Sequence, residues 1–252
     1  MSPKTLDFAD RLEPPISAIT AYDYPSARLC DEAGIQLLLV GDSLGMVVAG
    51  NPDTTSVTLD QMVYHTEMVA RGTQRAIVVA DLPIGTYENP EAAYLSAKRL
   101  IEAGADAVKL EGGLGQLAKI RRLILSGIPV CAHIGMLPQR VVAEGGYRKK
   151  GKSETEAREL VRAASELEAV GAFAIVLESM VAEVAEEITK AISIPTIGIG
   201  SGEACDGQIR VFHDVVGAYP WFVPPFAKVY ADVAGDVLSA VERYRNEIEA
   251  SD

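Results

Sequence analysis

The stretch Gln36-Leu-Leu-Leu-Val-Gly-Asp-Ser-Leu-Gly-Met46 decides how the rest of the chain is read. Four apolar residues, Leu37 to Val40, run unbroken and stop at Gly41. A short continuous apolar run of this kind reads as a strand buried on both faces, as in a parallel sheet. Asp42 and Ser43 follow at once, where the strand should leave the core. In open α/β sheets and in α/β barrels, ligands bind at that end of the strands. Asp and Ser are also ordinary turn and cap residues. One such ending therefore does not separate a site from a turn, whereas several do.

The ending recurs along the chain. Residues 16–23 read as a first strand that closes on Thr20-Ala-Tyr-Asp23, and residues 76–83 as an apolar run broken by Asp81. In residues 106–113, Lys109 and Glu111 are two apart and so share one face of a strand. Residues 129–135 carry His133 near their end, and residues 172–178 finish on Glu178. Residues 195–202 make a seventh strand and 208–216 a short eighth. Helices fill the intervals. Pro25 opens one at its first turn and Gly34 stops it. Thr58 caps another that runs to Arg71, and Asn89-Pro90 starts a third that Gly104 ends. A further helix runs to Gly127, and Ser153 with Glu156 forms a capping box for one that ends at Gly171. Residues 44–57 lack periodicity and read as a long loop. A short helix is expected over residues 4–13, ahead of Pro14-Pro15, and an amphipathic helix from about residue 228.

Eight βα units in 252 residues indicate an α/β chain folded as one (β/α)8 TIM barrel domain over 1–252, with a short N-terminal and a C-terminal helix. A doubly wound sheet would leave two strands to place elsewhere. The net charge of -12 and the low pI argue against nucleic acid or an anionic membrane as a partner. No apolar run approaches the ~20 residues of a membrane helix. Asp7, Asp10 and Arg11 stand where a signal segment would be apolar. Cys30, Cys131 and Cys205 have no metal-ligand spacing and are odd in number, which suits reduced thiols in a cytoplasmic protein.

In a barrel the strand ends converge on one opening, which gathers Asp23, Asp42 with Ser43, Asp81, Lys109 with Glu111, His133 and Glu178. Burying that many carboxylates beside one lysine costs several kcal/mol per uncompensated charge. A divalent cation answers this, and all-oxygen ligation suits Mg2+. Asp42 and Asp81 are the first choices as direct ligands, with Glu111 direct or acting through water. Such a metal with Lys109 would stabilise charge on a carbonyl oxygen, and Glu178, set apart on the sixth strand, is the candidate base for an α-proton. His133 reads either as a pocket residue or as a satisfied core histidine. The Gly198-x-Gly-Ser-Gly202 run lacks both the dinucleotide spacing and a P-loop lysine. Residues 136–152, basic over Gly145-Gly-Tyr-Arg-Lys-Lys-Gly-Lys152, are expected to form a flap that either closes over an anionic substrate or lies solvated.

Taken together, the sequence resembles the ketopantoate hydroxymethyltransferase family from Thr20 to about Tyr244. The resemblance is carried by Thr20-Ala-Tyr-Asp-Tyr24, Val40-Gly-Asp-Ser-Leu-Gly-Met46, Tyr64-His65-Thr66, Ala80-Asp-Leu-Pro83, Val108-Lys-Leu-Glu-Gly-Gly113 and Pro129-Val-Cys-Ala-His-Ile-Gly135. Pro138-Gln139, Gly145-Gly-Tyr147, Val176-Leu-Glu178, Pro195-Thr-Ile-Gly-Ile-Gly-Ser-Gly202 and Asp206-Gly-Gln208 complete it. It implies transfer of a hydroxymethyl group from 5,10-methylenetetrahydrofolate to 3-methyl-2-oxobutanoate, giving 2-dehydropantoate, in a homo-oligomer that is commonly a decamer. It further implies that Asp42, Asp81 and Glu111 form a Mg2+ site and that Asp42, Ser43, Asp81, Lys109 and His133 contact the keto acid. Glu178 would be the base. The loop over 46–57 and the basic 148–150 stretch depart from the family pattern. A phosphoenolpyruvate mutase or isocitrate lyase relative would share barrel and enolate, but residues 136–152 hold no Cys for the lyase. A catalytically silent barrel would have lost one of Asp42, Asp81, Glu111 or Glu178, and all four stand.

Overall fold

A computed structural model describes Phe8 and residues 11–250. The helix expected over 4–13 lies outside the described residues except at Phe8 and 11–13. Eight parallel strands close into a barrel in chain order: β1 (Ile16–Thr20), β2 (Leu37–Val40), β3 (Ile77–Asp81), β4 (Ala107–Glu111), β5 (Val130–Gly135), β6 (Ala174–Glu178), β7 (Thr196–Ile199) and β8 (Gly207–Arg210). The expected (β/α)8 fold is the one observed. Helices α1 (Tyr24–Glu32), α2 (Leu44–Val47), α3 (Leu59–Gly72), α4 (Pro90–Glu102), α5 (Leu117–Leu125), α6 (Glu154–Val170) and α7 (Ala182–Ala191) occupy the intervals. Chain contacts divide the molecule into residues 1–209 and 210–252. The second unit holds α8 (Phe212–Val216) and α9 (Val233–Glu249), and α9 buries none of its residues. Among the described residues no helix is long and apolar enough to cross a membrane.

Strand periodicity places the chemistry. Ile16, Ala18, Leu37, Leu39, Ile77, Val79, Ala107, Cys131, Ala174, Val176 and Ile197 form one buried apolar cluster, with Phe8 and Leu12 packed into it. Successive side chains alternate between faces. Continuing the same parity up β3, β4, β5 and β6 from Val79, Ala107, Cys131 and Val176 reaches Asp81, Lys109 with Glu111, His133 and Glu178. Each of these strands is therefore apolar at its entry and ionisable at its exit on one inward face. The register sets Asp81 opposite Lys109 and Glu111 opposite His133.

Four local expectations are corrected. Asp23 does not reach the pocket: β1 ends at Thr20, and the exposed Asp23 is the N-cap of α1, its Oδ1 accepting from Ser26 N–H at 2.8 Å. The 44–57 loop opens with the single turn α2. Of the expected eighth strand, only 207–210 is extended and 212–216 is helical. The box at Ser153 is half formed, since Ser153 Oγ accepts from Glu156 N–H while the Glu156 carboxylate turns to the amides of Gly151 and Lys152. The complete box is at Thr58 and Gln61.

Candidate active site

The exits of β2 to β6 meet at one buried cluster. Asp42, Asp81, Lys109, Glu111 and His133 are each at most 4% exposed. Glu178 is partly open, its side chain 16% exposed. Lys109 Nζ lies 2.9 Å from Asp81 Oδ1, without hydrogen-bond alignment, and 3.3 Å from His133 Nδ1. Asp81 Oδ2 accepts from the backbone N–H of Asp42 at 3.1 Å, tying β3 to the turn after β2. Gly41 makes room for Ser43, since an added Cβ would stand 2.9 Å from Ser43 Oγ, while Asp81 Oδ2 at 3.6 Å would be an ordinary contact. Ser43 Oγ is 2.8 Å from the Tyr22 hydroxyl at the pocket edge. His133 Nε2 faces Glu178 Oε2 at 3.3 Å, and Nδ1 is 3.6 Å from Glu111 Oε1. A Cβ at Gly135, whose φ is +99°, would collide with the Glu178 carbonyl, so β5 carries glycine where it presses on the base-bearing strand. The structure thus brings together all seven residues expected at the site except that Ser43 sits at its edge.

Charge in this cluster is unbalanced, with Asp42, Asp81, Glu111 and Glu178 sharing the single ammonium of Lys109. Burial, and then the neighbouring Asp81, push the Asp42 carboxyl up to about 7. Burial followed by Asp42 raises Glu111 well above the usual carboxylate range. Burial lifts Glu178 to about 7 against the pull of Lys109. The same burial, helped by Lys109, drives His133 well below its ordinary value and leaves a neutral imidazole. Lys109 is raised: burial opposes its charge, but Asp81, Glu111 and Asp42 outweigh burial. Asp31 shows what a structural carboxylate looks like in this fold. It is equally buried, and burial works to raise it, yet the amides of Ala76, Arg75 and Gln74 prevail and lower it. The pocket acids lack such support.

A hard divalent cation fits that shortage of positive charge. The donors are oxygens, and Asp42 Oδ1 has no hydrogen-bond partner among the described residues. No three Asp, Glu, His or Cys side chains among those residues stand as a ready-made metal cage. A cation here would be held directly by only one or two of Asp42, Asp81 and Glu111, the third acting through water, with water or substrate as the remaining ligands. A stability consequence follows from the raised acids. Between the unfolded carboxylate range and about pH 7 the native state binds more protons than the unfolded chain, so stability falls as pH rises through that window. The Tm of metal-stripped protein is expected to drop between pH 5 and pH 8, and saturating Mg2+ should flatten the slope in a thermal-shift series.

Two residues that sequence reasoning passed over complete the pocket. Gln139, in the 3-10 turn Pro138–Arg140, donates to Asp42 Oδ2 and accepts from the Tyr87 hydroxyl. The only signal for it was the Pro138-Gln139 pair, and nothing singled out Tyr87. The flap is anchored at its far end: Lys150 N–H donates to the Ser179 carbonyl and Val181 N–H to that of Lys150, directly after Glu178. Lys150 Nζ folds back on Glu144 at 2.6 Å, while Arg148, Lys149 and Lys152 are exposed. At the flap tip the Tyr147 hydroxyl lies 3.8 Å from Met46 Sδ on the loop after β2.

Comparison with known proteins points one way. The family model for ketopantoate hydroxymethyltransferase matches residues 2–252. A 3-methyl-2-oxobutanoate hydroxymethyltransferase of Pyrobaculum islandicum is 54% identical over 244 residues, covering 96% of this chain and 93% of its own. Its counterpart in Thermococcus kodakarensis is 52% identical over 235 residues (93% and 82%), and one from Dehalococcoides mccartyi 51% (92% and 84%). Among solved structures, a phosphonopyruvate hydrolase in complex with oxalate and Mg2+ aligns with a TM-score of 0.65 at 17% identity, covering 92% of this chain and 82% of that one. A 2,3-dimethylmalate lyase of the PEP mutase/isocitrate lyase superfamily aligns at 0.61 and 18% identity (96% and 85%). At such identities the likeness shows the barrel fold alone.

Proposed function

This chain belongs to the ketopantoate hydroxymethyltransferase family, and from that premise we propose how its strand-end cluster performs the family's reaction. The enzyme transfers a hydroxymethyl group to 3-methyl-2-oxobutanoate in pantothenate synthesis. The proposed donor is 5,10-methylenetetrahydrofolate and the proposed cation Mg2+, held by Asp42 and Asp81 with Glu111 completing the site. The observation that carries this reading is the excess of buried carboxylate over ammonium in the pocket, where burial and then the neighbouring Asp81 push Asp42 up to about 7.

When bound, Mg2+ supplies Lewis-acid polarisation of the 2-oxo group and offsets the carboxylates. Glu178 removes the C3 proton of the keto acid, and the electron pair passes into an enolate. A carboxyl held near 7 is suited to that task, since about half of it is ionised at neutral pH and it is basic enough to take the proton. Lys109, kept protonated between Asp81 and Glu111, faces the negative charge gathering on the substrate oxygen. Ser43 and the neutral His133 orient the substrate. Carbon–carbon bond formation then joins C3 to the one-carbon unit, the carbon–nitrogen bonds to the pterin break, and water supplies the hydroxyl of 2-dehydropantoate. We place the working enzyme in the cytoplasm as a homo-oligomer, with a decamer as the assembly to test by light scattering.

Exhaustive chelation is expected to abolish product formation, with Mg2+ restoring it in a saturable manner. The matching measurement is metal content after gel filtration. Full activity in chelated protein with no bound divalent cation would remove the metal from the account.

A further inference from the structure

Every polar atom of the Gln139 side chain is committed inside the carboxylate pocket. Its Nε2 donates to Asp42 Oδ2 at 2.8 Å and to the Leu82 carbonyl at 2.9 Å, while Oε1 accepts from the Tyr87 hydroxyl at 2.5 Å. Its backbone N–H donates to Glu111 Oε2 at 3.1 Å. One residue, 3% exposed, thus holds one oxygen of each of two carboxylates, one from the turn after β2 and one from β4. The reaction as derived above makes no use of it.

We propose that Gln139 is a positioning residue that leaves Asp42 and Glu111 one oxygen each for a divalent cation, and thereby favours a small octahedral cation over Ca2+. The inference rests on the metal reading above and adds to it the selectivity of the site. A carboxylate with one oxygen occupied by an N–H donor offers the other as a single ligand. Mg2+ accepts that, because it takes single oxygens at about 2.0–2.1 Å in an octahedron and keeps several waters. Ca2+ gathers about 6–8 oxygens and gains from carboxylates that bind through both. Here Asp42 has Oδ1 left, and Glu111 has Oε1, which stands 3.6 Å from His133 Nδ1.

The amide can serve only in the orientation seen. Reversed, Oε1 would face the Asp42 carboxylate and the Leu82 carbonyl, two acceptors with no proton between them. Tyr87 secures the correct orientation, since its hydroxyl donates to Oε1 and would meet an N–H were the amide reversed. Glutamate at 139 would add a fifth carboxylate where a donor is needed.

Selectivity is read by titrating the full-length enzyme with Mg2+, Mn2+ and Ca2+ in a calorimeter, without substrate. Wild type is to be compared with Gln139→Leu and Tyr87→Phe, each checked for folding by circular dichroism. A hydrogen bond to a charged group is worth about tenfold to a hundredfold in an equilibrium constant. The Mg2+/Ca2+ affinity ratio is expected to fall by about that much in Gln139→Leu, and in the same direction by a smaller factor in Tyr87→Phe. A merely structural role would weaken both cations together and leave the ratio fixed. An unchanged ratio in folded Gln139→Leu overturns the proposal, and should that variant not fold, an unchanged ratio in Tyr87→Phe overturns it equally. A wild type that prefers Ca2+ overturns it too. A wild type that binds no divalent cation overturns the metal reading along with it, whereas wild-type Mg2+ binding with an unmoved ratio sinks only the role of Gln139.

Discussion

Glu178→Gln is expected to lower kcat about a thousandfold, within the range by which a positioned general base accelerates proton transfer. The KM for 3-methyl-2-oxobutanoate should change little, because the amide keeps the shape and the hydrogen-bonding reach of the carboxylate while losing only its basicity. The pH profile gives a second reading of the same residue. Glu178 is held near 7 by burial. Below that pH it is protonated and cannot accept the C3 proton, so wild-type activity should fall about tenfold per pH unit on the acid side. The acid limb should vanish from the residual activity of Glu178→Gln. A variant that keeps wild-type kcat with an unaltered acid limb would place the base elsewhere.

Lys109→Met should be nearly as damaging, for a different reason. Lys109 is the only ammonium in a cluster of four carboxylates, 5% exposed and 2.9 Å from Asp81. Removing a preorganised charge that faces a developing oxyanion costs about 100- to 1000-fold in rate. Taking away one partner of a buried pair also destabilises the fold by about 3–5 kcal/mol, since the carboxylates left behind have no compensation. Both effects should appear together: a loss of kcat in steady-state kinetics and a lower Tm, the latter partly restored by Mg2+. Were Tm unchanged and activity lost, the lysine would serve only the substrate, and the electrostatic view of the pocket would need revision.

Much of this was visible in the sequence because strand periodicity is strict. Lys109 and Glu111, two apart, had to share a face, and unbroken apolar runs ending at Asp42, Asp81 and Glu178 had to lie in a sheet covered on both sides. The rest was hidden for reasons that particular residues make plain. Asp23 followed a strand and preceded Pro25, a pattern that serves a strand-end acid and a helix cap alike, and the cap prevailed. The stretch Val211-Phe-His-Asp-Val-Val216 is rich in β-branched and aromatic residues and so suited a strand, yet only four residues of β8 are extended and the chain then turns into α8. Gln139 carries no charge and has no periodic neighbours, and its importance lies in contacts to Asp42, 97 residues away in sequence. Neutral amides that organise acids give no signal of their own. The basic flap carried no signal for its anchoring, because the Lys150–Glu144 pair and the backbone bonds of Lys150 to the segment after Glu178 depend on the fold.

Proton removal from C3 at the carboxylate of Glu178 is the centre of the account, and it can be observed without turnover. The enzyme is incubated with 3-methyl-2-oxobutanoate in D2O, with and without Mg2+ and with tetrahydrofolate added to fill the pterin position, and the C3 proton is followed by NMR. Exchange that requires Mg2+ and disappears in Glu178→Gln is the predicted result. Exchange that persists undiminished in Glu178→Gln, or that proceeds at the same rate in metal-stripped enzyme, would contradict it.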